Sequence, residues 1–146
     1  MVKMLSLGGT DVRHARKTIT FDGTAGLGAV GTAVAIFTTT GKILLHYITA
    51  YCTTDLGQAL ATAQVSLGTA TQVTRFVAAT NSTAIQENEW WVTGTPTVGS
   101  IDLPDICQNV FVSENVVINP TAQNTNAGVL VIDAIYEPIS DNGLLS

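Results

Sequence analysis

Residues 42–54, KILLHYITAYCTT, form the longest strand candidate in this chain of 146 residues. Successive side chains of a β-strand point to opposite faces. Strict alternation therefore places two sets of side chains on two faces: Ile43, Leu45, Tyr47, Thr49 and Tyr51 on one, and Leu44, His46, Ile48, Ala50 and Cys52 on the other. Both sets are largely apolar, so we expect a strand that is covered on both sides.

Further strand candidates lie on either side of this segment, separated by turns rich in Gly, Pro and Asn. They are residues 17–22, 29–40, 64–69, 71–80, 106–119 and 127–138. In residues 106–119, one face carries Val110, Val112, Val116 and Ile118, interrupted by Glu114. Residues 55–63 have some helical character, but they are short and contain Gly57, so a loop or a single turn is expected. Because no crossover helices are available, the sequence predicts an all-β, β-sandwich or jelly-roll-like single domain.

Residues 1–16 mix Gly, Thr, Asp and basic residues without clear periodicity and are predicted to be an extended N-terminal arm, and residues 17–146 are predicted to be the β-sandwich domain. The first seventeen residues carry Lys3, Arg13, Arg16 and Lys17 against Asp11, whereas the remainder is acidic and brings the net charge to −5. Four cations without interleaved aromatic residues are a weak signal for nucleic acid. An acidic protein surface is the preferred partner of these cations, and a frayed, solvated terminus is the alternative.

Charged residues make up 12% of the chain, about half the fraction typical of a soluble domain. Depletion of charge favours a surface that is covered by partners, although a monomer kept soluble by Thr, Asn and Gln is the alternative. The charge-free run 23–41 is too rich in Gly and Thr to span a membrane. The first residues lack the apolar core of a secretory signal, so we expect a protein made and used without export.

Gly26–Gly31, GLGAVG, matches the dinucleotide-binding pattern G-x-G-x-x-G. That pattern needs a helix whose amino terminus holds the pyrophosphate. The following residues, TAVAIFTTTG, are rich in β-branched side chains and would form a poor helix. We therefore expect a wide loop between strands and no cofactor.

Catalytic and metal sites are not expected. His14 and His46 have no ligand-like spacing to Cys or carboxylates, and no nucleophile-elbow or zinc-protease motif is present. The pair Glu87 and Glu89 beside two tryptophans could imitate a sugar site, which leaves a carbohydrate-binding module as an alternative. The sequence thus predicts a protein that is not an enzyme.

Trp90 and Trp91 are adjacent, so in a strand one would fill the core while the other faces outward as an interface anchor. The alternative is that covering loops bury both. The two cysteines, Cys52 and Cys107, lie among apolar strand residues, and we expect two buried, reduced thiols instead of a disulfide.

Four stretches carry a resemblance to small virion proteins of tailed bacteriophages. They are KTITFDGTAGLGAVGTAVAIFTTTGKILLHYITAYCTTDL (17–56), AQVSLGTATQVTRFVAAT (63–80), IQENEWWVTGTPT (85–97) and NAGVLVIDAIYEPIS (126–140). Their shared features are a Gly-rich loop, a strand beginning after Thr40-Gly41, a Trp-containing turn and a hydrophobic last strand followed by Pro138. Such proteins look like capsid decoration, or cement, proteins.

The resemblance implies a homotrimer on the outer capsid surface that binds the major capsid protein between capsomers. It also implies synthesis in the host cytoplasm, and neither direct nucleic-acid binding nor membrane association. Another virion part, such as a tail component, a head-fibre base or a receptor- or glycan-binding tip, is the alternative. The residues expected at the capsid or partner interface are Arg13, Arg16, Lys17, Trp90 and Trp91.

Overall fold

The computed structural model describes residues 11–58 and 62–146. Within them the chain forms twelve β-strands, two single 3-10 turns and no α-helix. The strands are β1 (Arg13–Thr20), β2 (Val34–Phe37), β3 (Thr39–Thr40), β4 (Ile43–Gln58), β5 (Gln64–Thr69), β6 (Val77–Asn81), β7 (Glu89–Trp90), β8 (Thr97–Val98), β9 (Gln108–Val112), β10 (Val116–Thr121), β11 (Thr125–Pro138) and β12 (Leu144–Leu145). The 3-10 turns are Ser82–Ala84 and Asp105–Cys107.

Two antiparallel sheets pack as a sandwich-like domain, as the sequence predicts. The larger sheet has the order β1-β11-β4-β7-β8, with β9 also pairing β4, and the smaller has the order β2-β10-β5-β6. The short pair β3 and β12 ties the last described strand to the domain. The core contains a set of fully buried large side chains: Trp91, Phe37, Phe76, Ile43, Leu45, Ile48, Leu67, Ile85, Ile118, Leu130, Ile132 and Val65.

Strand β11 shows how the alternating pattern specifies the larger sheet. Every second residue is buried toward the core: Leu130, Ile132, Ala134 and Tyr136. The residues between them are half-buried on the other side, which we call the outer face of the larger sheet. This period of two is what the sequence of residues 127–138 predicts.

Strand β4 departs from strict alternation because it contains a bulge. Tyr47 pairs with Ile135 and Leu45 pairs with Tyr136, so His46 is an extra residue without an opposite partner. The bulge brings Ile43 and Leu45 onto the same buried face as three later residues, Ile48, Ala50 and Cys52. This chain by itself does not cover both faces of the strand as predicted, because Tyr47 on the outer face is 37% exposed.

The segment predicted as one strand over 106–119 is two strands in different sheets. Strand β9 pairs with β4 in the larger sheet, and β10 pairs with β2 and β5 in the smaller sheet. The chain crosses between the sheets at residues 113–115, where side chains hold it in place. The Glu114 carboxylate accepts hydrogen bonds from the Thr71 backbone N–H (3.1 Å) and hydroxyl (2.8 Å), and Asn115 Oδ1 accepts one from the Thr39 N–H (3.0 Å).

Other predicted bounds shift by a few residues. Strand β1 begins at Arg13, so residues 13–16 of the predicted arm lie in the sheet, paired with residues 133–136 of β11. The first ten residues of the predicted arm lie outside the described residues. Strand β4 continues to Gln58 where a turn is predicted over 55–63, and of the predicted strand 71–80 only Val77 onward is extended.

Candidate interaction surfaces

The outer face of the larger sheet brings the strands β1, β11, β4, β7 and β9 side by side. Because paired residues of neighbouring strands share a face, the register defines rows across it. One row contains Arg16, Asp133 and Thr49, and a second contains Thr18, Val131, Tyr51 and Trp90. A third contains Glu137, Leu44 and Phe111. The face thus mixes half-buried apolar side chains with a few ion pairs.

The three predicted interface cations lie along the edge strand β1. Arg16 binds Asp133 through two hydrogen bonds, with Nε at 2.7 Å from Oδ1 and Nη2 at 3.2 Å from Oδ2. Arg13 similarly binds Asp11, with Nη2 at 2.6 Å from Oδ2. Lys17 is exposed on the same strand, at the register position of Ile132. A partner that used Arg13 or Arg16 would share those cations with acids of this chain.

Asp133 is the acid around which the β1–β11 pair is organised. Its Oδ1 lies 2.6 Å from Nε2 of His14 as well as 2.7 Å from Nε of Arg16. Partial burial acts to raise the pKa of Asp133, but the hydrogen bonds from Arg16 and His14 prevail, and the net effect lowers that pKa below its usual range. The other histidine, His46, lies 2.7 Å from the Glu137 carboxylate on the same face. Across residues 11–58 and 62–146, no group of three or more His, Cys, Asp or Glu side chains is placed to hold a metal ion.

The two tryptophans have different environments. Trp91 is 0% exposed, and its indole N–H donates to the Thr80 hydroxyl at 2.9 Å. It is therefore a core residue, and the expectation that it contacts a partner is wrong for this fold. Trp90 is half-buried on the outer face, where its ring lies 4.7 Å from that of Tyr51 in an edge-on arrangement and its N–H donates to the Gly99 carbonyl at 3.0 Å.

The carboxylates of Glu89 and Asp55 accept hydrogen bonds from the backbone of the segment before the tryptophans. Glu89 Oε2 accepts a hydrogen bond from the Gln86 N–H at 2.8 Å, and the Glu87 N–H donates to Asp55 Oδ1 at 2.6 Å. These bonds fix the turn that leads into β7. Glu89 is thus engaged in a turn, and its geometry does not favour the sugar-site alternative.

The Gly-rich segment 26–31 lies in a loop held against the start of β11. The Thr125 N–H donates to the Gly28 carbonyl at 2.9 Å, and the Val30 N–H donates to Asn124 Oδ1 at 2.8 Å. Gly28 has a φ of +115°, and a Cβ there would collide with the Thr125 carbonyl oxygen. The segment leads to strand β2, as the β-branched residues after it predict, and so lacks the helix amino terminus that a dinucleotide would need.

Two features that sequence reasoning missed lie on the outer face. Phe111 on the edge strand β9 is 76% exposed, the highest value among the large hydrophobic side chains of residues 11–58 and 62–146. A shallow groove of about 140 Å³ lies further along β4 and is lined by Thr49, Trp90, Val92, Ile101 and Leu103. The alternation of Val110 and Val112 toward the core does imply that Phe111 points outward. The groove had no comparable signal, because a loop from outside the sheet forms one of its walls.

Within the described part of the chain, no helix is long and apolar enough to cross a membrane.

No protein-family model matches the chain. No curated protein matches it either. A solved structure that resembles the fold is a chain described as "Cyanophage Pam1 capsid asymmetric unit". The match has a TM-score of 0.51 and 15% sequence identity, and it covers 88% of this chain and 85% of that chain. At this identity the likeness shows a shared fold.

Proposed function

We propose that the protein is a structural component of a bacteriophage virion, and that it decorates the outer surface of the capsid. The observation that carries the proposal is the fold-level likeness to a chain of a cyanophage capsid asymmetric unit. The two matched shares, 88% and 85%, are nearly equal, so the two chains are similar in length and are alike over most of the domain.

The surface of the protein also supports a role in assembly. Only 12% of the residues are charged, and apolar side chains such as Phe111 and Tyr47 stand exposed on the outer face. Exposed aromatic residues combined with depleted charge are typical of surfaces that partners cover. The exposed cation Lys17 on the edge strand β1 would add an ionic contact to an acidic region of the major capsid protein, and Arg13 and Arg16 on the same strand would share their charge with Asp11 and Asp133.

The proposed mechanism is thermodynamic. A copy that bridges two capsid subunits must dissociate before those subunits can separate. Any molecule that binds the assembled state and not the separated one stabilises the assembled state by mass action. Pressure from packaged DNA would therefore be resisted without any chemical step. The resemblance further implies that the bridging unit is a homotrimer.

The test is to strip the protein from particles that carry it and to measure the temperature at which the genome is released. We expect release at a lower temperature, and we expect re-addition of the purified protein to restore the original value. An unchanged release temperature would disprove the cement role. Antibody labelling of intact particles on the tail alone would place the protein in the tail and not on the capsid. Absence of the protein from purified particles would overturn the proposal as a whole.

A variant of Lys17 tests the proposed contribution of β1. Lys17→Gln should weaken binding to stripped particles, because it removes one ionic contact. The effect should be only about 2- to 5-fold, and seen at low salt, because a single exposed ion pair contributes little and is screened by salt. Thr32→Glu in the exposed Gly-rich loop changes the net charge by the same amount and should bind normally. Equal weakening by both variants would show that only net charge matters.

A further inference from the structure

We propose that copies of this protein associate through the outer face of the larger sheet, with the Phe111 side chain of one copy seated in the groove of a second copy. The Phe111 knob is this one side chain, and the Trp90 groove is the depression lined by Thr49, Trp90, Val92, Ile101 and Leu103. The contact forms between molecules in solution, so it does not rest on the proposed function, and its test needs no particles.

The knob is exposed because of where its strand lies. Strand β9 is an edge strand that pairs with β4 from Ile43 to Tyr47. Its neighbours Val110 and Val112 point into the core, which leaves Phe111 on the outer face opposite Leu44. At 76% exposure the ring has little cover from its own chain. Large aromatic side chains in this setting are the usual anchors of protein interfaces.

The groove has the size and chemistry for a phenyl ring. Its volume of about 140 Å³ is close to the roughly 150 Å³ of an apolar protein cavity that accepts benzene. Four of its five lining residues are apolar or aromatic, and the fifth is Thr49. The indole of Trp90 is fixed by its hydrogen bond to Gly99 and its contact with Tyr51, so one wall is already formed before anything binds.

The spacing of knob and groove favours a second copy as the occupant. Phe111 pairs with Leu44, and Thr49 lies five residues further along β4, a distance of roughly 16 Å at the usual rise of a strand. Phe111 therefore cannot fill the groove of its own chain. Because both features lie on one face, two copies related by a two-fold axis in the plane of contact would each insert Phe111 into the groove of the other. This contact closes as a dimer, so the homotrimer that the resemblance implies would need a separate contact elsewhere on the surface. Tyr47, 37% exposed, lies between the two features and would pack in the middle of such a contact.

The polar side chains around Phe111, Tyr47 and the Trp90 groove can form the rim of such a contact without opposing it. His46 is bonded to Glu137, and Asp133 to Arg16 and His14, so the nearby carboxylates already have cationic or hydrogen-bonding partners within the chain. Two copies can approach without bringing unpaired carboxylates together, which would otherwise oppose association.

The experiment measures the mass of the full chain in solution across a range of protein concentrations, for the wild type, Phe111→Ser and Val30→Ser. We expect the wild type to form a dimer and Phe111→Ser to weaken that association by about 30-fold or more, as loss of an aromatic anchor seated in a pocket does. Val30 is 43% exposed in the Gly-rich loop, at the opposite end of β11 from Phe111, and is the matched control. Its replacement should leave association unchanged. A thermal melt of each variant confirms that it is folded.

Mixing two variants tests the pairing of knob with groove. Ile101→Lys blocks the groove but retains the knob, whereas Phe111→Ser retains the groove. A mixture of the two should associate more strongly than either variant alone, because one complete contact forms in the mixed pair. A wild type that stays monomeric at every concentration, or a self-association that Phe111→Ser does not weaken, would overturn the proposal. Loss of particle binding by a monomeric Phe111→Ser would instead assign the knob to a capsid partner.

Discussion

Ala122 has a backbone conformation with positive φ, which residues that carry a Cβ rarely adopt. It has a φ of +66° in the connection between β10 and β11, where the Gln123 N–H donates to the Thr121 carbonyl at 2.7 Å. This is a tight three-residue turn in a left-handed conformation that a Cβ disfavours by about 1–2 kcal/mol. The strain belongs to the connection that turns the chain from the smaller sheet into the larger one.

Replacing Ala122 with Gly should therefore raise the free energy of unfolding by about 0.5–1 kcal/mol, since relief of the strain exceeds the added freedom of Gly in the unfolded chain. Urea unfolding or a thermal melt measures the change, with the melting temperature rising by about 1–4 °C. Ala79→Gly is the matched control, because Ala79 is exposed in β6 and is not at positive φ. The free energy of unfolding of Ala79→Gly should fall by about 0.5–1 kcal/mol. Destabilisation by Ala122→Gly would contradict the interpretation of this turn as strained.

Single residues were only partly predictable from the sequence. The rule that adjacent strand residues face opposite sides gives one buried and one outer tryptophan, and the structure follows it with Trp91 in the core. The sequence alone could not say which of the two is buried. That choice depends on the register of β7 against β4, where Trp90 pairs with Tyr51, and a two-residue strand carries too little pattern to reveal its register.

At the scale of elements, the β1–β11 pair is joined by a regular backbone register and by the Asp133 cluster. Eight consecutive residues of β1 pair with β11 without a shift. Asp133, with its lowered pKa, links β11 to two side chains of β1, Arg16 and His14. A carboxyl group whose pKa is lower in the folded state contributes stability that is fully present above its unfolded value, near 4, and that is lost as the pH falls through the folded value.

Asp133→Asn should thus lower the free energy of unfolding at pH 6. The difference in free energy of unfolding between wild type and variant, here called the gap, should narrow as the pH falls from about 5 toward 3. Urea titrations at several pH values measure this gap. Lys17→Gln also removes one charge from the β1–β11 pair, but it leaves the Asp133 cluster intact, so its gap should not narrow in the same way. A gap for Asp133→Asn that stays constant with pH would show that the ion pairs do not contribute.

The long strands were predictable where the pattern is regular and unpredictable where it is interrupted. Residues 127–138 alternate without a break, and the strand is found there. In β4 the bulge at His46 exchanges the two faces, which strict alternation cannot anticipate. At residues 113–115 the apolar pattern of Val110, Val112, Val116 and Ile118 continues while the chain changes sheets, because both halves face the same core.

At the scale of the whole molecule, both cysteines are buried free thiols within one continuous core. Burial raises the pKa of Cys52 and of Cys107 to about 11. The thiolate is the reactive form of cysteine, so each thiol is protected both by lack of access and by lack of ionisation.

Labelling of the native protein by a thiol reagent at pH 8 should accordingly be at least about 100-fold slower than labelling of the urea-unfolded chain, and Cys52 and Cys107 should become reactive together when the domain opens. Mass spectrometry of the labelled protein follows both sites. Ser113→Cys adds an exposed thiol that should react at once and serves as the control. Rapid labelling of either native cysteine would mean that its part of the core opens independently.

The antiparallel pairing of β1 with β11 has a consequence for synthesis on the ribosome. Residues 13–20 pair with residues 129–136, so β1 emerges long before the strand that completes it. At about 5–20 residues per second, the wait lasts roughly 5 to 20 s. During that time an uncharged strand would be free to pair with a neighbouring nascent chain. Arg13, Arg16 and Lys17 place positive charge on this waiting strand, and such gatekeeper cations keep like strands from joining one another before their own partner arrives.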